Sequence, residues 1–179
     1  MSETPPTNGG QNPAGTPGQS GQSQENAPSL VVMTQYLKDL SFESPRAPGS
    51  FKAGQSPQLD VNVDVEGRTL GPDQYEVELS VAARATAENE PVFIVEASYA
   101  GAFEIKNVQR EQLEMVMLVE CPRLLFPFMR QIVADATRNG NFPPLMLEPI
   151  DFMGIYFANK AKAQASSEGA PAPTPAPQA

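Results

Sequence analysis

Among its 179 residues the sequence has no histidine, no tryptophan and one cysteine. Without histidine there is no Ser-His-Asp or Cys-His nucleophilic site, no imidazole general base and no histidine-bearing zinc site. One thiol cannot close an internal disulfide or build a four-cysteine metal site, so nothing calls for an oxidising compartment. Cys121 stands before Pro122 between apolar stretches, and it reads as a small buried hydrophobe rather than a nucleophile. Bases are also scarce. Twelve Lys and Arg against 21 Asp and Glu leave a net charge of −9, a poor match to a phosphate backbone, so no nucleic-acid partner is expected. No run approaches the ~18 apolar residues of a spanning helix. The first residues also lack a basic start followed by an apolar stretch. The expectation is a cytoplasmic protein that does not insert into a membrane. Gly101 is too isolated to cradle a phosphate. Asp60, Asp64 and Glu66 lack the loop spacing and glycine of a calcium site. Neither a cofactor nor a metal is expected, and the chain does not read as an enzyme.

What the sequence does have is unevenly spread. Residues 1–28 hold five Pro and five Gly and no Val, Leu, Ile, Phe or Tyr. Such a segment cannot bury enough apolar surface to offset the entropy of ordering. From Ala161 the chain again turns to Ala, Pro, Ser and Gln. Both ends are therefore expected to be disordered tails, 1–28 and 161–179, around one folded domain at 29–160. Four stretches in it read as strands. Residues 30–42 are β-branched and aromatic without Gly or Pro. Leu59, Val61, Val63 and Val65 alternate with Asp60, Asn62 and Asp64, as in an antiparallel strand with one dry and one wet face. Tyr75, Val77, Leu79 and Val81 repeat the pattern, which points Glu76 and Glu78 to solvent. Residues 92–99 are apolar on both faces at 92–95, so this strand needs a second covering layer: a helix on each side or another subunit, with another subunit favoured.

Helices follow. Residues 111–120 are good helix formers ahead of a stop at Cys121-Pro122, and 124–139 place Leu125, Phe128, Met129, Ile132 and Ala136 at helical spacing. The prolines of 142–149 demand an extended strap, and Asp151 is suited to cap a last helix over 152–160. Strands first and helices afterwards predict an α+β fold, an antiparallel sheet with helices on one face. Two surface features remain. Residues 29–120 carry fifteen acids against seven bases, whereas 121–160 carry three acids and four bases. The acidity serves either solubility or the docking of a basic partner. Phe142, Leu145, Met146, Leu147, Ile150, Phe152, Ile155, Tyr156 and Phe157 exceed what a strap and one short helix conceal, which suggests an open apolar groove.

Five segments, in order, carry a resemblance: Tyr36-Leu-Lys-Asp-Leu-Ser-Phe-Glu-Ser-Pro45, Gly101-Ala-Phe-Glu-Ile105, Cys121-Pro-Arg-Leu-Leu-Phe-Pro-Phe-Met-Arg130, Gly140-Asn-Phe-Pro-Pro-Leu-Met-Leu147 and Pro149-Ile-Asp-Phe152. Together they resemble the SecB protein-export chaperone family over nearly all of 30–160; the long Pro/Gly-rich start departs from that family's shorter one. The resemblance implies a four-stranded antiparallel sheet backed by helices and a homotetramer built as a dimer of dimers. It also implies ATP-independent binding of non-native precursor proteins and their delivery to the SecA export ATPase. By the resemblance, Asp39, Glu43, Ile94 and Glu96 contact SecA. Phe93, Val95, Ala97 and Tyr99 occupy the tetramer interface, and Leu59, Val61, Val63, Leu147, Phe152, Tyr156 and Phe157 line the client-binding groove. A general holdase of the same fold, without an export role, is the alternative.

Overall fold

A computed structural model of the chain describes residues 27–49 and 57–168. The expected tails before residue 27 and after residue 168 lie outside the described residues. Four strands, β1 (Ser29–Glu43), β2 (Gln58–Gly71), β3 (Gln74–Ala87) and β4 (Glu90–Lys106), form one antiparallel sheet in the order β1-β4-β3-β2. All four outlast the apolar alternation that announces them. The β3–β4 hairpin turns through Glu88 and Asn89, both at positive φ; two such residues give the mirror-image turn whose twist suits a hairpin.

Strand β1 does not alternate simply. Its register against β4 slips between Val32 and Thr34 and again between Leu37 and Asp39. Met33 and Lys38 are the extra residues of these bulges, and each resets which face the following side chains occupy.

A helical run follows: α1 (Arg110–Met115), a π-helical segment (Val116–Glu120) and α2 (Cys121–Asn139). The expected stop at Cys121-Pro122 is not a stop. Pro122 has no N–H for the carbonyl four residues back, and an ordinary helix would clash there. The π segment widens the helix just ahead of it: the Cys121 N–H bonds to the Val116 carbonyl, five residues back. Pro127 lies inside α2, which continues past it to Asn139.

The helix α2 packs on β4 and β3. One row of each strand, Val77, Leu79, Val81, Ala83 and Ala85 on β3 and Phe93, Val95, Ala97, Phe103 and Ile105 on β4, meets Leu125, Met129 and Val133 from the helix. Burying each large apolar side chain contributes about 1.5–3 kcal/mol, so this layer holds the domain together. The architecture is the expected α+β fold, a four-stranded antiparallel sheet with helices on one face.

A strap from Asn141 to Asp151 links α2 to α3 (Phe152–Glu168). Thr137, wholly buried in α2, takes the Leu145 N–H on its hydroxyl (2.9 Å) and the Phe142 N–H on its carbonyl (3.1 Å). Phe142 then closes an aromatic triangle with Phe93 (5.0 Å between centroids) and Phe42 (6.2 Å). Gly140 is required beside it, since a Cβ there would lie 2.2 Å from the Phe42 ring. Asp151 caps α3 as expected, its carboxylate accepting the Gly154 N–H at 3.0 Å. The helix continues past Lys160 to Glu168, through residues expected to be tail. Ala, Lys and Gln among them are strong helix formers.

Candidate functional site

Alternation along β4 sorts the candidate residues. Ile94, Glu96 and Ser98 face away from the helices, and the β1 register sets Glu43 opposite Ile94, Ser41 opposite Glu96 and Asp39 opposite Ser98. Asp39, Glu43, Ile94 and Glu96 therefore share the open face of the sheet. The three acids are exposed and Ile94 is half-buried. A shallow depression of about 190 Å³ crosses all four strands here, running from Asp39 past Glu96, Ser98 and Ser80 to Asn62 and Asp64. Its floor is low because its residues are small; the Ser80 and Ser98 hydroxyls hydrogen-bond to each other at 2.8 Å.

The other half of the open face is electrostatically different. Glu76 is only 2% exposed, contrary to the expectation that it points to solvent. Its carboxylate accepts hydrogen bonds from the Tyr36 hydroxyl and the Arg68 Nε–H, while Lys38 Nζ lies 3.8 Å away and also pairs with Glu78. Tyr36 lies opposite Ala100 and Glu76 opposite Ala102, so the tyrosine ring spans β4 over two alanines to reach its acceptor. Burial alone would raise the Glu76 carboxyl; the Tyr36 and Arg68 hydrogen bonds and the Lys38 charge outweigh it and hold the group below the ordinary value. The hydrogen bond to Glu76 raises Tyr36, and the one to Glu78 raises Lys38. The ion pairs of the described residues include Glu76 and Glu78 but pass over Asp39, Glu43, Asp64 and Glu96. Around Asp39 and Glu96 the acids of the open face thus make no ion pair among the described residues, whereas in the other half Glu76 and Glu78 are paired and Glu66 is not.

Phe93, Val95, Ala97 and Tyr99 face the other way. The first three are buried in the core beneath α2. Tyr99 stacks on Phe128 of α2 (5.8 Å, 18°) and donates to Gln35 at 3.4 Å. Within the single chain they are not a free surface. On one side this strand is covered by α2; on the other the Tyr36 ring lies over Ala100 and Ala102 only, away from the doubly apolar stretch at 92–95, where Ile94 is half-buried. On the outer side of α2, Leu124 and Phe128 are exposed.

The groove residues divide as well. Leu59, Val61 and Val63 lie on the helix-facing side of β2, opposite Ala85, Ala83 and Val81. Leu59 and Val61 remain 42% and 39% exposed, beyond the reach of α2. Phe157 is also open, at 57%. Leu147, Phe152 and Tyr156 are instead buried in the core, because the strap is pinned to Thr137 and draws α3 onto the helical run. Phe152 meets Phe126 edge-on at 6.2 Å, and the Tyr156 hydroxyl donates to Glu114 at 3.3 Å. In the single chain these three are core residues, unlike the open Leu59, Val61 and Phe157. Cys121 is wholly buried; desolvation, with Glu120 adding to it, pushes its thiol up to about 12.

The family model of the preprotein translocase subunit SecB matches residues 23–163. The chain belongs to the SecB family. The SecB of Maricaulis maris, a protein-export protein, is 51% identical over 155 residues, 86% of this chain and 89% of that one. The SecB of Afipia carboxidovorans is 49% identical over 75% of this chain and 84% of its own length. Among solved structures, a SecB-like chaperone of Mycobacterium tuberculosis in complex with an antitoxin peptide shares the fold. Its TM-score is 0.58 at 21% identity, covering 68% of this chain and 90% of that one. A chaperone role in protein export comes with SecB membership. Among the described residues no helix is long and apolar enough to cross a membrane.

Two features of this SecB sheet escape a reading by alternation: the burial of Glu76 and the paired set Tyr36, Lys38 and Arg68 around it. Their only signal is a Lys and an Arg on strands otherwise rich in acids.

Proposed function

We propose that this protein works in the cytoplasm as a homotetramer, a dimer of dimers, that holds non-native precursor proteins without ATP, keeps them translocation-competent and delivers them to the SecA export ATPase. The observation that carries this reading is the separation of two surfaces on one sheet. Asp39, Glu43, Ile94 and Glu96 share the open face, and the three acids make no ion pair among the described residues, which suits a basic docking partner. Leu59, Val61 and Phe157 are open apolar groups off the helix-facing side, which suits clients recognised by exposed apolar side chains. Client and SecA then do not compete for the same atoms, so release requires SecA to lower client affinity, and the coupling is reciprocal. Each client contact is weak because the client loses entropy on binding. Repeating the surface in an assembly raises the effective concentration of every later contact. The outer edge of β1 supports such an assembly, since it carries exposed Val31, Met33, Leu37 and Leu40 and has no strand beyond it among the described residues.

The test is Glu96→Lys, with SecA affinity and retention of an unfolded precursor measured side by side. SecA binding is expected to fall steeply while retention of the precursor is unchanged. Unaltered SecA affinity would overturn the assignment of the docking face.

A further inference from the structure

Phe42 and Glu43 adjoin at the end of β1 and serve opposite faces of the sheet. Glu43 lies opposite Ile94 on the open face, whereas Phe42 lies opposite Val95 of the core. Just beyond them the chain is tied to β4 and its hairpin: the Ser44 hydroxyl donates to the Val92 carbonyl at 3.4 Å, and Arg46 pairs with Glu90 at 3.3 Å. Under the sheet the Phe42 ring stacks on Phe93 (6.0 Å, 23°) and meets Phe142 of the strap at 6.2 Å. Gly140 leaves no room for a Cβ beside that ring, so the ring is locked between strand and strap.

We propose that Phe42 is the positioning residue that transmits docking at Glu43 and Ile94 to the strap, and through the strap to the surface that holds clients. The proposal rests on the reading above, in which SecA lowers client affinity. A closely packed contact shifts between discrete arrangements and does not deform continuously. In one arrangement Phe142 is seated against Phe42 and Phe93, and the strap is held on α2. In the other, a partner's cation on Glu43 and its apolar contact on Ile94 shift the end of β1. The Phe42 ring moves with its strand, and Phe142 is released.

The strap has few other holds at this end. Thr137 accepts the Phe142 N–H on its carbonyl and the Leu145 N–H on its hydroxyl, so a displaced Phe142 withdraws the first of these bonds and loads the second. The strap runs directly into α3, which carries the open Phe157 and packs on the π segment beside β2. Freeing the strap frees α3, and Phe157 is no longer held in place relative to Leu59 and Val61. Client affinity then falls although no client atom touches the docking face.

The experiment uses the full chain, SecA and an unfolded precursor, and measures the precursor Kd with and without saturating SecA. In the wild type the ratio of the two is expected within the roughly 5–150-fold range of allosteric couplings. In Phe42→Leu, which keeps an apolar side chain in place, it is expected to fall to about twofold or less. SecA affinity, precursor affinity without SecA and the assembled mass stay as in the wild type. Gly140→Ala presses on the same ring from the strap side and is expected to lower the ratio likewise. Ile105→Val, a core truncation at the far end of β4, costs stability but leaves the ratio unchanged. Hydrogen exchange at the Phe142 and Leu145 amides reports on the strap itself: SecA speeds it in the wild type and not in Phe42→Leu. An undiminished ratio in either ring variant, an equal fall in Ile105→Val, or wild-type exchange that SecA does not alter would overturn the role of Phe42. So would loss of SecA binding or of the assembled mass in Phe42→Leu, since the ring would then belong to the docking face or to a contact between copies. A wild-type ratio of one would instead overturn the release reading, and the role of Phe42 with it.

Discussion

Replacing Glu76 by glutamine isolates the charge that clamps β1, β2 and β3 together on the open face. The amide keeps the size of the carboxylate and can still accept the Tyr36 O–H, but its NH₂ faces the Arg68 Nε–H, donor against donor. A hydrogen bond to a charged group is worth about 1.5–3 kcal/mol, roughly twice a neutral one. The Tyr36 arm therefore loses about 1 kcal/mol. The Arg68 side chain is 66% exposed, so water recovers most of that arm and it adds little. The expected destabilisation near neutral pH is about 1 kcal/mol, from the Tyr36 arm. Its pH dependence has a definite sign. The folded-state carboxyl is held below its ordinary value of about 4.3, so its stabilisation is fully present above that value. It is lost as the pH falls through the folded-state value, where the native carboxylate protonates. The gap between wild type and variant should be full at pH 7 and close below the carboxylate range. Urea unfolding at a series of pH values, at one fixed protein concentration because assembly contributes to stability, measures it directly. Equal stability at pH 7 would refute the argument. A gap of constant size at every pH would refute it too, since it would mean that Glu76 acts by packing.

Cys121 should resist a thiol reagent at pH 8 in the native state and react only as fast as the chain unfolds, because it is buried and its thiol is pushed up to about 12; native-state labelling at the rate of a free thiol would contradict this. Thr137→Val should cost about 1–3 kcal/mol by leaving the Leu145 N–H without its acceptor, and should speed hydrogen exchange at that amide. Unchanged exchange at Leu145 would show that the strap is held by something else.

Much of the fold is legible in the chain. The strict alternation of β2 and β3 gives their two faces, and the doubly apolar stretch of β4 marks it as a central strand. What covers β4 is not legible, because one cover is Tyr36, far away in sequence, whose ring crosses only because residues 100 and 102 are alanine. The burial of Glu76 is hidden for the same reason: alternation gives the face of a residue but not what a neighbouring strand lays over it. In β1 the two bulges break the period, so the sharing of a face by Asp39 and Glu43 with Ile94 and Glu96 comes from the family resemblance and not from spacing. Leu147, Phe152 and Tyr156 are plainly apolar in sequence, but whether such residues line a groove or fill a core depends on the Thr137 anchor. The end of α3 is not legible, because the composition of 161–168 suggests a tail while its individual residues favour a helix.

The alternation of β4 also limits how this protein can change over generations. Phe93, Val95 and Ala97 belong to the core and Ile94 and Glu96 to the open face, one residue apart. Inserting or deleting a single residue in this strand would turn a glutamate into the core and a phenylalanine to the outside in one step. Two residues at once would only slide the pattern along. The edge strand β1 is under no such restriction, since its bulges at Met33 and Lys38 already absorb odd numbers of residues. Length variation among relatives should therefore collect in β1 and in the turns, while β4 stays fixed in length or changes in pairs.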